Sequence, residues 1–212
     1  MKLWGRRTLN VQKVLWFMDE LELSYEHILA GGDFGGLDTP EFLAMNPHGH
    51  VPVIRDGNTV VWESHTILRY PAACYGSAQF RSEDAAVRSQ SDRWMDWSET
   101  ALQPDFMMGL FWNFYRTPEA QHDKLTIQKN EATCNAHFQL LDRVLEGQAF
   151  LGDDAFTLAD IPAGSLLYRY FELDIERPSL PNVEAWYKRL QEREAYVKNV
   201  MLPFDDLKGR LT

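Results

Sequence analysis

Residues 50–66 read HVPVIRDGNTVVWESHT. Two apolar runs, Val51 to Ile54 and Thr59 to Trp62, flank Asp56-Gly57. That dipeptide is a strong hairpin signal, because glycine tolerates the positive φ of a tight turn. The ends of the hairpin are less ordinary. Pro52 opens the first run although it cannot donate to a sheet ladder. The second run stops at Trp62 and gives way to Glu63, Ser64, His65 and Thr66. Ser64 suits the N-cap of a helix running toward Gly76, with Pro71 expected to bend it near Tyr70.

Upstream of the hairpin, Lys2 to Trp4 reads as a strand. Residues 11–23 follow with Val11, Val14, Leu15, Met18 and Leu21 at helical spacing. Asp19 and Glu20 near that helix's end are expected to be solvated. Tyr25 to Leu29 reads as a second strand, and Pro40 to Ala44 as a helical turn. The glycine-rich loop 30–36 lacks both a phosphate-loop lysine and GxGxxG spacing. The order is therefore βαβ, a connection, then ββα. A parallel pair from the crossover and an antiparallel hairpin give a small mixed sheet.

Residues 77–82 read as a linker, and no clear strand signal follows. Ala86 to Phe114 is expected as one long helix, bent near Pro104. A second helix starts at Thr117-Pro118-Glu119 and runs to about Glu146, before Gly147. Thr157 and Asp160 form a variant capping box, with Phe156 and Ile161 at the staple positions, for a helix to about Leu173. Pro181 opens the last major helix, through Arg193.

Composition narrows function. The 212 residues are 45% hydrophobic and carry a net charge of −10, which repels phosphate backbones and argues against a nucleic-acid partner. Basic residues such as Arg6, Arg7 and Lys13 are scattered, as on a solvated surface. No apolar run is long enough to span a membrane, and the N-terminus lacks a leader pattern, so a cytoplasmic protein is expected. Cys74 and Cys134 form no CxxC pair and read as buried thiols. His48 and His50 alternate as metal ligands do on a strand, but no third ligand lies nearby, so no metal is expected.

Three places could carry chemistry. Pro52 either starts a strand or follows a cis bond, which would turn the Val51 backbone outward to pair with an extended peptide. Ser64 at a helix start leaves N–H groups that favour a carboxylate, and Glu63 beside it could hold an ammonium; together they fit an α-amino acid. Thr8 and Asn10 lie between the first strand and first helix, where hydroxyl and amide donors either cap the helix or stabilise a thiolate.

Combined and in this order, these features resemble the cytosolic glutathione S-transferases. NPHGHVPVIRDGNTVVWESHTILRY (46–70) is similar to the family's N-P-x-G-x-V-P-V … E-S-x-x-I-x-x-Y segment. LNVQKVLWFMDELELSYE (9–26) resembles its first helix, in the bacterial branch that opens with S-x-N-V-Q-K. FLGDDAFTLADIPAG (150–164) and LPNVEAWYKRLQER (180–193) resemble its capping and final-helix segments. The resemblance spans nearly the whole chain.

It implies a thioredoxin-like α/β domain with a mixed four-stranded sheet over residues 1–78, and an all-α helical domain over 83–212. It implies a detoxifying glutathione transferase that works as a homodimer. Val51, beside a cis Pro52, would pair with the cysteinyl part of glutathione. Glu63 and Ser64 would hold the γ-glutamyl end, and His50 the glycyl carboxylate. Thr8 falls where this branch usually has serine, and Asn10 matches its asparagine; both would activate the thiol. Phe106, Met107 and Phe111 are the residues expected to face an apolar electrophile. Asp96 or Glu99 would reach the partner's γ-glutamyl ammonium.

The departures also count. No tyrosine ends the first strand, Leu9 stands where relatives often have serine, and Pro71 replaces a common aliphatic residue. No cysteine occurs near residues 5–12, so mixed-disulfide chemistry of the cysteine type lacks its nucleophile. Glutathione-dependent disulfide reduction or peroxide reduction on the same scaffold is the alternative, and a non-enzymatic glutathione-binding protein a further one. His65 is expected as a first-turn surface residue.

Overall fold

The computed structural model describes residues 1–211. Its order is β1 (Lys2–Trp4), α1 (Leu9–Glu20), β2 (Glu26–Ile28), α2 (Pro40–Met45), β3 (Val53–Asp56), β4 (Thr59–Trp62) and α3 (Ser64–Cys74). The four strands form one sheet in the order β2-β1-β3-β4. β1 and β2 pair parallel, with Leu3 opposite His27; β1–β3 and β3–β4 pair antiparallel, with Ile54 opposite both Leu3 and Val61. The mixed four-stranded sheet read from the sequence is present.

β3 begins at Val53, one residue after Pro52, because proline offers the ladder no N–H. α3 continues through Pro71 to Cys74. Cys74 is exposed, contrary to the expectation of two buried thiols; Cys134 is buried, and burial pushes its thiol up to about 12.

The helical part follows. α4 (Ala85–Trp97) starts at Asp84, whose side chain accepts from the Ala86 N–H at 2.7 Å. Helix continues to Arg116, but with widened i→i+5 turns over Ser98–Leu102 and Asp105–Arg116. The expected start at Thr117 is displaced. A short 3₁₀ turn covers Glu119–Gln121, and α5 (Lys124–Val144) begins after Asp123, which accepts from the Leu125 and Thr126 N–H groups. An ionised cap beats the Thr-Pro signal there. α6 (Asp160–Glu172), α7 (Pro181–Gln191) and α8 (Glu194–Asn199) complete the fold.

Half of the capping box at 157–160 is present: Asp160 accepts from the Thr157 N–H, but the Thr157 hydroxyl accepts from the Ala159 N–H (3.2 Å), and Ala159 is the N-cap of α6. Asp160 is fully buried and accepts from the Thr157 N–H (2.8 Å), the Leu151 N–H (2.8 Å) and Trp186 Nε1 (3.0 Å). Burial outweighs these donors and raises its carboxyl to about 7.

α1 starts at Leu9 and stops at Glu20, and it is covered on two sides. Val11, Val14, Leu15 and Met18, spaced i, i+3, i+4 and i+7, pack with Leu3, Ile54 and Ile67 under the sheet. Leu9, Trp16 and Phe17 enter the core of the helical part. Trp16 meets the rings of Tyr196 (4.8 Å) and Phe156 (5.5 Å). Asp19 and Glu20 are therefore not solvated. Glu20 takes a two-pronged ion pair from Arg193 (2.8 and 2.6 Å), and Asp19 accepts from Asn199 (2.7 Å) and Lys198 (2.7 Å) on α8.

Candidate active site

The turn between β1 and α1 is set by Gly5. Its N–H bonds Ile28 C=O (2.9 Å) and that of Arg6 bonds Ala30 C=O (2.8 Å), carrying the parallel pairing past the end of β1. Gly5 has φ +152°, and a Cβ there would stand 2.6 Å from Val11 Cγ2 and 3.1 Å from Val51 Cβ. Only glycine lets this turn lie against the Val51 loop.

Thr8 occupies the N-cap of α1, and its carbonyl accepts from the Gln12 N–H at 2.8 Å. Its hydroxyl makes no cap bond. The bland role, a hydroxyl consumed in capping, is not what the structure has; the half-buried side chain lines the cleft between the two parts of the chain. Asn10 lies in the first turn of α1, and its Oδ1 accepts from Gln103 Nε2 (3.3 Å) in the widened helix.

The Val51–Pro52 bond is cis. Val51 lies outside the strand pairing, whose register begins at Val53. Buried Asn46 shapes the loop before it, donating to His50 C=O (2.9 Å) and accepting from the His48 N–H (3.1 Å). The His50 side chain is exposed.

At the other end of the hairpin, Glu63 rather than Ser64 is the residue that enters α3. Glu63 has φ 69°, a left-handed conformation that costs a non-glycine residue roughly 1–3 kcal/mol. It is exposed, and among the described residues no ion pair engages it. Ser64 is the first helical residue and is buried. The N–H groups of Ser64, His65 and Thr66 precede the first intrahelical bond, Ile67 N–H to Glu63 C=O (2.8 Å). An exposed carboxylate and a set of helix-start donors thus lie side by side.

A second group of polar residues escaped the sequence reading. Lys13 is not on the surface; its side chain has no exposure at all. Its ammonium donates to Gln103 Oε1 and to Glu99 Oε2 (3.4 Å), and lies 3.2 Å from His65 Nε2. His65 is likewise buried, not a surface residue. Burial, then the nearby Lys13 and Arg69 cations, push its imidazole down to about 2, so the ring is neutral. The 3.1 Å approach of His65 to Glu99 is then a contact of a neutral ring with a carboxylate, not an ion pair. Burial also lowers Lys13, against the pull of Glu99, to about 8. Gln103 joins this cluster to Asn10, and His65 joins it to Ser64. The signal available was Lys13 within a run of mostly apolar residues, Val11 to Met18, on a helix with no acidic residue three or four positions away.

The cleft beside Thr8 has a volume of about 430 Å³. Of the three residues expected to face it, Met107 and Phe111 line it. Phe106 does not. It is fully buried in the helical core, edge-on to Phe138 (6.4 Å) and Tyr170 (6.2 Å). Met107 and Phe111, four residues apart, share one face of the helix, and Phe106, one position before Met107, lies off it.

Two family models match the chain: glutathione S-transferase, N-terminal domain, over residues 1–72, and glutathione S-transferase, C-terminal domain, over 104–194. The glutathione S-transferase GstB of Escherichia coli (strain K12) is 39% identical over 204 residues, covering 95% of this chain and 98% of that one. The disulfide-bond oxidoreductase YfcG of the same strain is 27% identical, covering 89% and 88%. Among solved structures, the theta class glutathione S-transferase from the citrus canker pathogen Xanthomonas axonopodis pv. citri, with glutathione bound, superposes with a TM-score of 0.88 at 43% identity, covering 95% and 97%. With its sheet, its helical part and these relatives, the chain belongs to the glutathione S-transferase family.

Proposed function

We propose that the Thr8 hydroxyl, assisted by Asn10, stabilises the thiolate of glutathione for attack on an electrophile held in the neighbouring cleft. The chain is a glutathione transferase, with glutathione as co-substrate. Residues 1–78 form the glutathione-binding unit in this reading and 83–212 the helical unit. Val51 beside Pro52 offers backbone to the cysteinyl part. Ser64 and the start of α3 take the γ-glutamyl carboxylate, Glu63 takes its ammonium, and His50 stands near the glycyl carboxylate. The thiol proton leaves to solvent, the sulfur forms a bond to the electrophilic carbon, and the leaving group departs with its electron pair. Met107 and Phe111 give the apolar electrophile its wall. A homodimer in the cytoplasm is the working form in this reading; no helix among the described residues is long and apolar enough to cross a membrane.

The observation that carries the role of Thr8 is its hydroxyl: it sits at a helix start, makes no cap bond and faces the cleft. A hydrogen bond to a charged acceptor is worth about 1.5–3 kcal/mol. Thr8→Val should therefore raise the pKa of bound glutathione by about 1–2 and lower kcat roughly ten- to hundred-fold at neutral pH. Glutathione affinity should persist, as measured by calorimetry. An unchanged pH–rate profile would remove Thr8 from the mechanism, and no glutathione binding at millimolar concentration would favour a non-enzymatic role.

The relationship to a disulfide-bond oxidoreductase supports a second reading. In it, the same thiolate attacks a disulfide sulfur, forming a mixed disulfide with glutathione and expelling one substrate thiolate; a second glutathione thiolate then attacks the glutathione sulfur of that mixed disulfide, giving glutathione disulfide and expelling the other substrate thiolate, and both leaving thiolates are protonated by solvent. Parallel assays with an aryl halide and a model disulfide separate the two.

A further inference from the structure

We propose that the electrophile is an organic anion, an apolar body bearing a carboxylate, and that Arg169 at the base of the cleft receives the charge. This rests on reading the cleft as the electrophile site.

Arg169 lies on α6 and is only 7% exposed, yet it lines the cleft. Its Nη2 donates to Gln12 Oε1 at 3.0 Å, a neutral acceptor. Its buried Nε has no hydrogen-bond partner, and among the described residues no carboxylate pairs with it. A charge taken this far out of water is costly unless paired. Burial lowers the guanidinium only to about 10, so it remains a cation at neutral pH. Its flanks are the Phe111 and Phe204 rings, at 5.8 and 5.9 Å from the guanidinium carbon. The cleft thus holds a buried cation with an unsatisfied donor between two aromatic walls.

The surroundings reinforce the sign. Arg6, Arg7 and Arg116 also line the cleft, against Asp33 and Asp206. Arg6 depresses the pKa of Arg116, after the larger effect of burial, as expected where cations crowd together. The cleft is locally positive in a chain whose net charge is −10. Such a patch concentrates anions of low molecular weight and excludes neutral competitors only weakly.

Gln12, the side chain bonded to Arg169, lies one helical turn beyond Thr8 on α1, about 5–6 Å along the same face. A carboxylate forked onto Arg169 would leave its carbon skeleton pointing toward the thiolate. The reactive carbon should then be within a few bonds of the carboxylate, and the apolar remainder against Phe111, Met107 and Phe204. A guanidinium suits a planar carboxylate better than an ammonium does, because it donates two parallel bonds.

The test uses the whole protein and a matched pair of probes, sodium 4-nitrobenzoate and its neutral methyl ester, titrated calorimetrically at low ionic strength. The acid should bind roughly ten- to hundred-fold tighter than the ester, and added salt should weaken only the acid. Arg169→Met should abolish the acid's advantage and leave the ester's affinity within about two-fold. Ester binding as tight as the acid in the wild type overturns the proposal, as does an acid preference that survives in Arg169→Met. Should that variant not fold, Arg6→Gln combined with Arg116→Gln should cut the acid preference roughly ten-fold; an unchanged ratio there is equally fatal. Neither probe requires glutathione. Failure of glutathione to bind would therefore sink the transferase reading while the acid-to-ester ratio still judges this one.

Discussion

Lys13→Met removes a fully buried ammonium while keeping most of its length. The folded chain holds the Lys13 proton with a pKa of about 8, against an ordinary 10.5, because burial outweighs the attraction of Glu99. Between those values the unfolded chain binds the proton and the folded chain has lost it. Stability then rises with pH through this window: the contribution is fully present above 10.5 and is lost as pH falls through 8. At 1.36 kcal/mol per pH unit, the gap bounds the gain at about 3.4 kcal/mol, of which about 2.5 accrues between pH 7 and 10. At pH 7 the substitution relieves a charge but strands the polar groups of Gln103 and His65, at about 1–3 kcal/mol each, so the two effects nearly cancel. Wild type and variant should therefore unfold at similar urea concentrations at pH 7. By pH 10 the wild type should lead by about 2–3 kcal/mol. Other titrating groups are common to both proteins and drop out of the difference. A wild type–variant difference that is equal at pH 7 and pH 10, or that moves against the wild type, would refute a desolvated cation at this position.

Gly5→Ala should destabilise the fold by about 1–3 kcal/mol and weaken glutathione roughly ten-fold by calorimetry, because the new Cβ pushes on Val11 and Val51; full affinity would mean the two loops are not held in register by this contact. Asp160→Ala should cost about 3–5 kcal/mol in urea titrations at about pH 5, since three buried donors lose their acceptor. Because the folded state raises the Asp160 carboxyl to about 7, that advantage should shrink as pH rises from about 4 toward 8, and a cost that grows instead would contradict the burial of its charge. A thiol reagent should label Cys74 at once in the native protein and Cys134 only on unfolding, the latter being buried with a thiol pushed to about 12; two fast thiols would place Cys134 elsewhere.

The local elements were legible where one residue type dictates one backbone. Asp56-Gly57 signalled a turn, which falls one residue on at Gly57-Asn58 between the paired Asp56 and Thr59; Thr157 and Asp160 signalled a helix start, and Val11, Val14, Leu15 and Met18 a single apolar stripe. What the stripe hid is that α1 has a second buried face. Lys13, Asp19 and Glu20 read as solvent-facing because their partners, Glu99, Lys198, Asn199 and Arg193, are distant in sequence and none is adjacent in pattern. His65 was misread for the same reason. Phe106 was misassigned because, next to Met107 in sequence, it cannot share the face that Met107 and Phe111 present to the cleft. Thr8 and Asn10 stood out by their place after the first strand, and Thr8 lines the cleft while Asn10 meets Gln103; Arg169 was invisible, since an arginine on an amphipathic helix reads as a surface charge until Gln12 is found beside it.

The double coverage of α1 bears on how the chain is made. Trp16 and Phe17 reach the ribosome's exit early, but their partners arrive late: Glu20 waits 173 residues for Arg193, and Asp19 waits 180 for Asn199. At 5–20 residues per second that interval is about 10–35 s. Throughout it the nascent sheet and its helix present an uncovered aromatic face, a surface for chaperones to hold or for other nascent chains to seize. Time spent making the helical half is thus time during which that face depends on something other than its own chain for cover.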